Sequence, residues 1–228
     1  MTAENGVTLE NRVDPFGVLF ADPARGLFMG NRGGRLHGGD RALGSRRFVS
    51  RQWICCRLEF RGRHRKVWGE SYTELFFLDE VTAFAAGHRP CFECRRRDAE
   101  AFAACWRHAF GLNAGPRAAD MDRMLHAERL IDREKRRHRL PIDGLPDGAI
   151  VALKEGAFAV RGGALLRWAP AGYGARKPWP RGIMVEALTP PSILAVLAAG
   201  YRPRWHPSVD EVLGVIPGRE RSSRARNP

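Results

Sequence analysis

Phe76-Phe77-Leu78-Asp79-Glu80-Val81-Thr82-Ala83-Phe84-Ala85-Ala86-Gly87-His88-Arg89-Pro90-Cys91-Phe92-Glu93-Cys94 is the most informative stretch of this chain. It opens on the apolar end of a strand, Tyr72 to Phe77. Asp79 is a good N-cap, because its carboxylate accepts from the first free N–H groups of a helix. A short helix to Ala86 follows, Gly87 supplies a left-handed stop, and Pro90 blocks continuation. Cys91-x-x-Cys94 then has the spacing that lets two thiolates reach one tetrahedral metal at about 2.3 Å. Ala198-Ala199-Gly200-Tyr201-Arg202-Pro203 repeats the helix-stopping half of this pattern without cysteines, so the specific signal is the cysteine pair and the helix before it.

Working outward, Trp53 to Phe60 alternates as a strand, Arg61-Gly62-Arg63 turns, and His64 to Trp68 reads as the return strand. Phe16 to Phe20 is a further strand candidate after a polar leader, 1–15. The stretch 30–41 is a loop rich in Gly and Arg, with many free backbone N–H groups. Downstream, a helix is expected over Arg96 to Phe110, then a Gly/Pro linker at 111–118. Met121, Met124, Leu125, Leu130 and Ile131 mark a helical apolar stripe flanked by Arg123, Arg129, Arg133 and Arg136. After Pro141 short strands are expected at 149–153, 157–160, 164–168 and 183–187, and Thr189-Pro190 opens a helix ending at Gly200. The expected class is α+β, with a metal-binding portion over 1–112, a helix plus small β-rich unit over 119–216, and a basic tail over 217–228.

The 228 residues carry a formal charge of +13 and a pI near 10.6, nearly all of it from Arg. A GC-rich genome accounts for a choice of Arg over Lys, but not for the excess charge. An excess of this size favours a polyanionic partner, nucleic acid ahead of a membrane surface. No apolar run approaches the roughly 18 residues of a membrane span. The polar start lacks the pattern of a signal peptide, so the expected compartment is the cytoplasm, where the five cysteines are reduced and close pairs suggest metal rather than disulfides.

Residues 76–95 resemble the second half of the Ada-type zinc domain, a module of a bacterial DNA methylation-repair protein. The shared pattern is an aromatic residue, an acidic-then-alanine helix, Ala-Gly-x-Arg-Pro-Cys-x-x-Cys and a basic residue, and it extends weakly upstream to about Trp53. The resemblance implies an Ada-like zinc-knuckle or treble-clef-like core, Zn2+ as cofactor, DNA as partner and a role in DNA repair. The family's second cysteine pair maps onto Cys91 and Cys94; its first pair, which includes the methyl acceptor, does not map. Phe60-Arg61-Gly62-Arg63-His64 stands in its place, with Cys55 and Cys56 slightly upstream and pointing to opposite faces of a strand. The expected ligand set is Cys56, His64, Cys91 and Cys94, with Cys55 as the substitute for Cys56. The resemblance carries metal binding and does not carry methyl transfer.

Candidate nucleic-acid contacts are Arg32 and Arg35 in the Gly/Arg loop, Arg89, Arg95, Arg96 and Arg97 around the cysteines, and Arg176 and Lys177 in the Tyr173–Arg181 segment. Arg133 to Arg139 reads as a solvated helix face that also suits a phosphate track, and Cys105 as a core residue. His37, Asp40, His126 and Glu128 form an alternative, a metal-dependent hydrolytic site acting on nucleic acid. A further alternative is a non-catalytic subunit whose exposed aromatics meet a protein partner.

Overall fold

The computed structural model describes residues 9–63 and 66–214. His64, the start of the expected return strand and the basic tail lie outside the described residues.

The fold is mixed α+β, with two large sheets and a small hairpin. The first sheet is built from β1 (Arg12–Val13), β2 (Leu19–Phe20), β3 (Phe28–Asn31), β4 (Ile54–Cys56), β5 (Leu75–Phe77) and, after helix α1 (Glu80–Ala85), β6 (Arg89–Pro90). Its order is β2-β1-β5-β3-β4-β6, with β1 parallel to β5 and β4 parallel to β6. Helices α2 (Arg96–Ala109) and α3 (Ala118–Arg129) follow. A hairpin of β7 (Leu130–Ile131) and β8 (Glu134–Lys135) comes next, where a solvated helix face was expected. The second sheet contains β9 (His138–Pro141), β10 (Ile150–Leu153), β11 (Gly156–Arg161), β12 (Ala164–Ala169), β13 (Gly172–Pro178) and β14 (Met184–Ala187). It is antiparallel throughout, in the order β13-β12-β11-β10-β14-β9. Helices α4 (Pro191–Ala198) and α5 (Ser208–Leu213) close the described chain.

Helix α1 is the pillar on which these layers meet. All six of its residues are buried, the polar Glu80 and Thr82 with internal hydrogen-bond partners. Ala83 packs into the first sheet, Val81 and Ala85 onto one face of the second, and Phe84 among α2, α3 and α4. The second sheet alternates as its strands predict: Ile150, Ala157 and Ala159 face α1, while Val151, Phe158 and Val160 enter a separate core on the other face. Phe102 and Trp106, before the 111–118 linker, share a core with Met121, Leu125 and Val196 after it.

Two buried carboxylates fasten α1 to the far end of the chain. Asp79 caps the helix, accepting from Thr82 N at 2.8 Å, and also accepts from Tyr173 Oη and His206 N. Glu80 takes Arg95 Nη2 at 2.7 Å, Tyr201 Oη at 2.9 Å and Arg204 N at 2.9 Å. Burial pushes both carboxyl pKa values up, against these hydrogen bonds and the Arg95 charge, which pull them down.

Candidate metal centre

The cysteine site forms where β4 and β6 lie side by side. Ile54 pairs with Arg89 and Cys55 with Pro90, which brings Cys56 alongside the turn that begins at Cys91. Strand alternation then separates the two adjacent cysteines. Cys55 points into the apolar core with no exposure, where Arg95 Nη1 donates to its Sγ at 3.3 Å. Cys56 faces the other way, and its Sγ lies with those of Cys91 and Cys94, all within 4.8 Å of one another.

The turn from Cys91 to Cys94 is a knuckle. Cys91 O accepts from Arg95 N at 2.9 Å, leading into α2. Cys91 Sγ accepts from the backbone N–H groups of Glu93 and Cys94, and Arg57 N donates to Cys94 Sγ at 3.4 Å. Backbone donors aimed at sulfur stabilise thiolate, the ligand form of cysteine. The three sulfurs are linked: Cys56 donates to Cys91 and Cys94, which pushes its own thiol pKa up and draws that of Cys91 down. Three thiolates this close repel one another unless a cation sits among them. A zinc with bonds of about 2.3 Å holds its sulfurs roughly 3.8 Å apart, a spacing that fits the observed cluster. This triad is the one group of three or more potential ligands found among the described residues.

Arg63, the last described residue before His64, pairs with Glu93 between the two knuckle cysteines, Nη2 to Oε1 at 2.9 Å. Arg57, Arg61, Arg96 and Arg97 are exposed around the same knuckle. Cys105, expected in the core, is partly buried on α2 against the Phe84–Phe102 cluster.

The other expected site residues separate into exposed and internal groups. Arg35 and Arg176 are exposed, and Lys177 pairs with Glu155 on β13, an edge strand where a binding loop was expected. Arg89 and Arg95 are internal: Arg89 forks onto Asp122, and Arg95 onto Glu80 and Asp98. Their carboxylate partners make them structural ties, unable to meet a phosphate without giving up an ion pair. Arg32 is buried beside Trp53.

The hydrolytic constellation does not assemble. His37 is stacked on Trp68, with Nδ1 at 2.7 Å from Thr73 Oγ1 and Nε2 at 2.9 Å from Gly69 O. Asp40 accepts from Ala42 N in an exposed turn. His126 packs edge-on to Phe48, and Glu128 binds both Ser192 N and Oγ. Each has a local structural partner, so residue type alone misled. No helix among the described residues is long and apolar enough to cross a membrane.

Compared with protein families, with curated proteins and with solved structures, the chain matches none.

Proposed function

We propose that the chain binds nucleic acid, DNA in the first instance, on a basic surface ordered by zinc. The observation that carries this reading is the convergence of Cys56, Cys91 and Cys94 from two different segments. Thiolate is a soft donor, and three cysteines with one histidine is a common structural zinc set. His64 is the proposed fourth ligand: the Arg63–Glu93 pair ties the preceding residue to the knuckle. A bound zinc would join β4, the knuckle and the loop after Arg57, holding exposed Arg57, Arg61, Arg63, Arg96 and Arg97 in one arrangement. The formal charge of +13 supplies the long-range attraction to a polyanion. The Ada-type resemblance at 76–95 points to the same partner and to a place in DNA repair, without methyl transfer.

Elemental analysis of the purified protein beside Cys94→Ser and His64→Ala tests the metal. One zinc per chain is expected for wild type, with loss or marked weakening in both variants. Metal-free wild type after expression in zinc-supplemented medium refutes the centre. Duplex binding as a function of salt tests the surface. If four to five phosphates are neutralised, the log–log slope is about −4. An affinity that stays flat from low to high salt removes the nucleic-acid reading.

A further inference from the structure

A second site lies outside the thiol cluster, between the β1–β2 turn, Trp53 and the β7–β8 hairpin. It is a cavity of 430 Å³ whose lining includes Asp14, Arg32, Trp53, Arg129 and Lys135. Arg32 and Arg129 flank the Trp53 ring, their guanidinium carbons 4.2 and 4.0 Å from its centroid. Arg32 Nη2 donates to Gly17 O at 2.8 Å, and Arg129 donates to Gly87 O at 2.9 Å and Arg51 O at 2.6 Å. Both Nε atoms are buried without a hydrogen-bond partner. The Lys135 ammonium donates to Ala85 O.

These cations differ from the other buried guanidiniums. Arg89 and Arg95 each have a carboxylate at 2.7 Å. Among the described residues, Arg32, Arg129 and Lys135 have no carboxylate within ion-pair distance. Carbonyl capping explains individual hydrogen bonds, but it does not explain three like charges directed at one cavity. Desolvation is the largest cause that lowers Arg32 and Arg129 to about 9 and Lys135 to about 7; repulsion from neighbouring arginines adds to it, and at Arg129 the Asp122 carboxylate opposes it. His88, fully buried behind them, is held neutral by burial and the same cations. Asp14 and Glu134 are the carboxylates of the lining, and burial raises the pKa of Asp14. The basic side chains of the lining outnumber these two acids, an excess of positive charge that an anion would balance. Arg47, Arg133 and Arg137 at the rim add to the attraction.

We propose that this pocket binds a phosphomonoester, with the dianionic phosphate held between Arg32, Arg129 and Lys135. The volume falls within the range of about 300–1,000 Å³ typical of small-ligand sites, enough for a phosphate and an attached group of mononucleotide size. Two sources share this chemistry: a free mononucleotide and the phosphorylated end of a nucleic-acid strand. The site requires neither the metal nor the basic surface proposed above.

Calorimetric titration with inorganic phosphate, a nucleoside 5′-monophosphate and the matching nucleoside tests the proposal, using the full chain and Lys135→Met. Wild type is expected to bind the two phosphate probes and ignore the nucleoside. Lys135→Met should weaken binding roughly 10- to 100-fold, the cost of a lost charge-assisted hydrogen bond. Tighter binding of a 5′-phosphorylated oligonucleotide than of the mononucleotide supports the strand-end source, and the reverse order supports the free ligand.

A second measurement needs only wild type. Sulfate stays dianionic across neutral pH, so any proton taken up from solvent when it binds near pH 8 goes onto a protein group whose pKa rises. Lys135 faces Asp14, Arg32 and Arg129, with Arg133, Glu134 and Arg137 at the rim, and is the group expected to take up that proton. Wild type that binds no phosphate probe, or that binds sulfate without proton uptake, overturns the proposal. Unchanged phosphate affinity in folded Lys135→Met does the same.

Discussion

Removing the Asp122 carboxylate tests whether Arg89 is a structural tie. Asp122 holds Arg89 by a two-pronged fork, Nε to Oδ1 at 2.8 Å and Nη2 to Oδ2 at 2.7 Å, with side-chain exposures of 2% and 8%. The fork clamps α3 to β6, two residues before Cys91. In Asp122→Ala the guanidinium keeps Pro90 O at 3.2 Å and the Phe92 ring, and loses its counter-charge while still buried. Orphaning one member of such a pair costs about 3–5 kcal/mol. That is a large share of the roughly 5–15 kcal/mol by which a domain is stable. Replacing both partners, Arg89→Met with Asp122→Leu, removes the buried charge altogether and should return to within about 2 kcal/mol of wild type, in either direction. The assay is urea unfolding followed by tryptophan fluorescence at a fixed zinc concentration, with the coupling read from the double-mutant cycle. A loss below about 1 kcal/mol in Asp122→Ala would refute the argument, because it would mean that Arg89 finds water or another acid. The double variant should also keep the salt slope of nucleic-acid binding, whereas a true phosphate contact would reduce it by about one.

Asp79→Ala should cost about 2–4 kcal/mol in the same unfolding assay, about one from the lost helix cap and the rest from the orphaned Tyr173 hydroxyl. Gly87→Ala should destabilise by more than about 1 kcal/mol, because φ is +84° and the added Cβ would meet Arg129 Cδ at 2.7 Å. That variant should also weaken phosphate binding, since Arg129 has to move. The folded-state pKa of Lys135 is lowered to about 7 from 10.5, so its charge opposes folding fully below pH 7 and this penalty fades as pH rises toward 10.5. In anion-free buffer of constant ionic strength, wild type should gain stability over that window relative to Lys135→Met, and parallel pH profiles would contradict this.

The parts of the fold legible in the sequence were those with local causes. Asp79 caps, Gly87 stops with positive φ, and the helix lies between them, because each depends on one residue's own chemistry. Alternation at 54–56 separated Cys55 from Cys56 for the same reason. What stayed hidden depends on distant partners. The β7–β8 hairpin turns through Asp132 and Arg133, both at positive φ, without the Gly or Asn that usually marks such a turn. Its basic composition predicts a solvated helix face, which gives no sign that the hairpin carries Lys135 to Ala85 O. The Gly and Pro residues of the Tyr173–Arg181 segment predict a loop, yet pairing with β12 makes most of it strand β13. Arg89 and Arg95 read as surface charge in the sequence because the acids that bury them, Asp122 and Glu80, lie 33 and 15 residues away.

The bonds that fasten α1 to the end of the chain also set an order of events. Glu80 must wait for Tyr201 and Arg204, and Asp79 for His206, separations of 121, 124 and 127 residues. During synthesis the strand, helix and knuckle, with the local partners Thr82 and Arg95, therefore emerge long before the remaining groups that satisfy those carboxylates. At a synthesis rate of about 5–20 residues per second, that gap lasts on the order of ten seconds. Over that interval the cysteine segment is unfinished and its α1 face unprotected. A chain stopped short of residue 201 never leaves this condition, so the segment between α4 and α5 decides when the α1 region is complete.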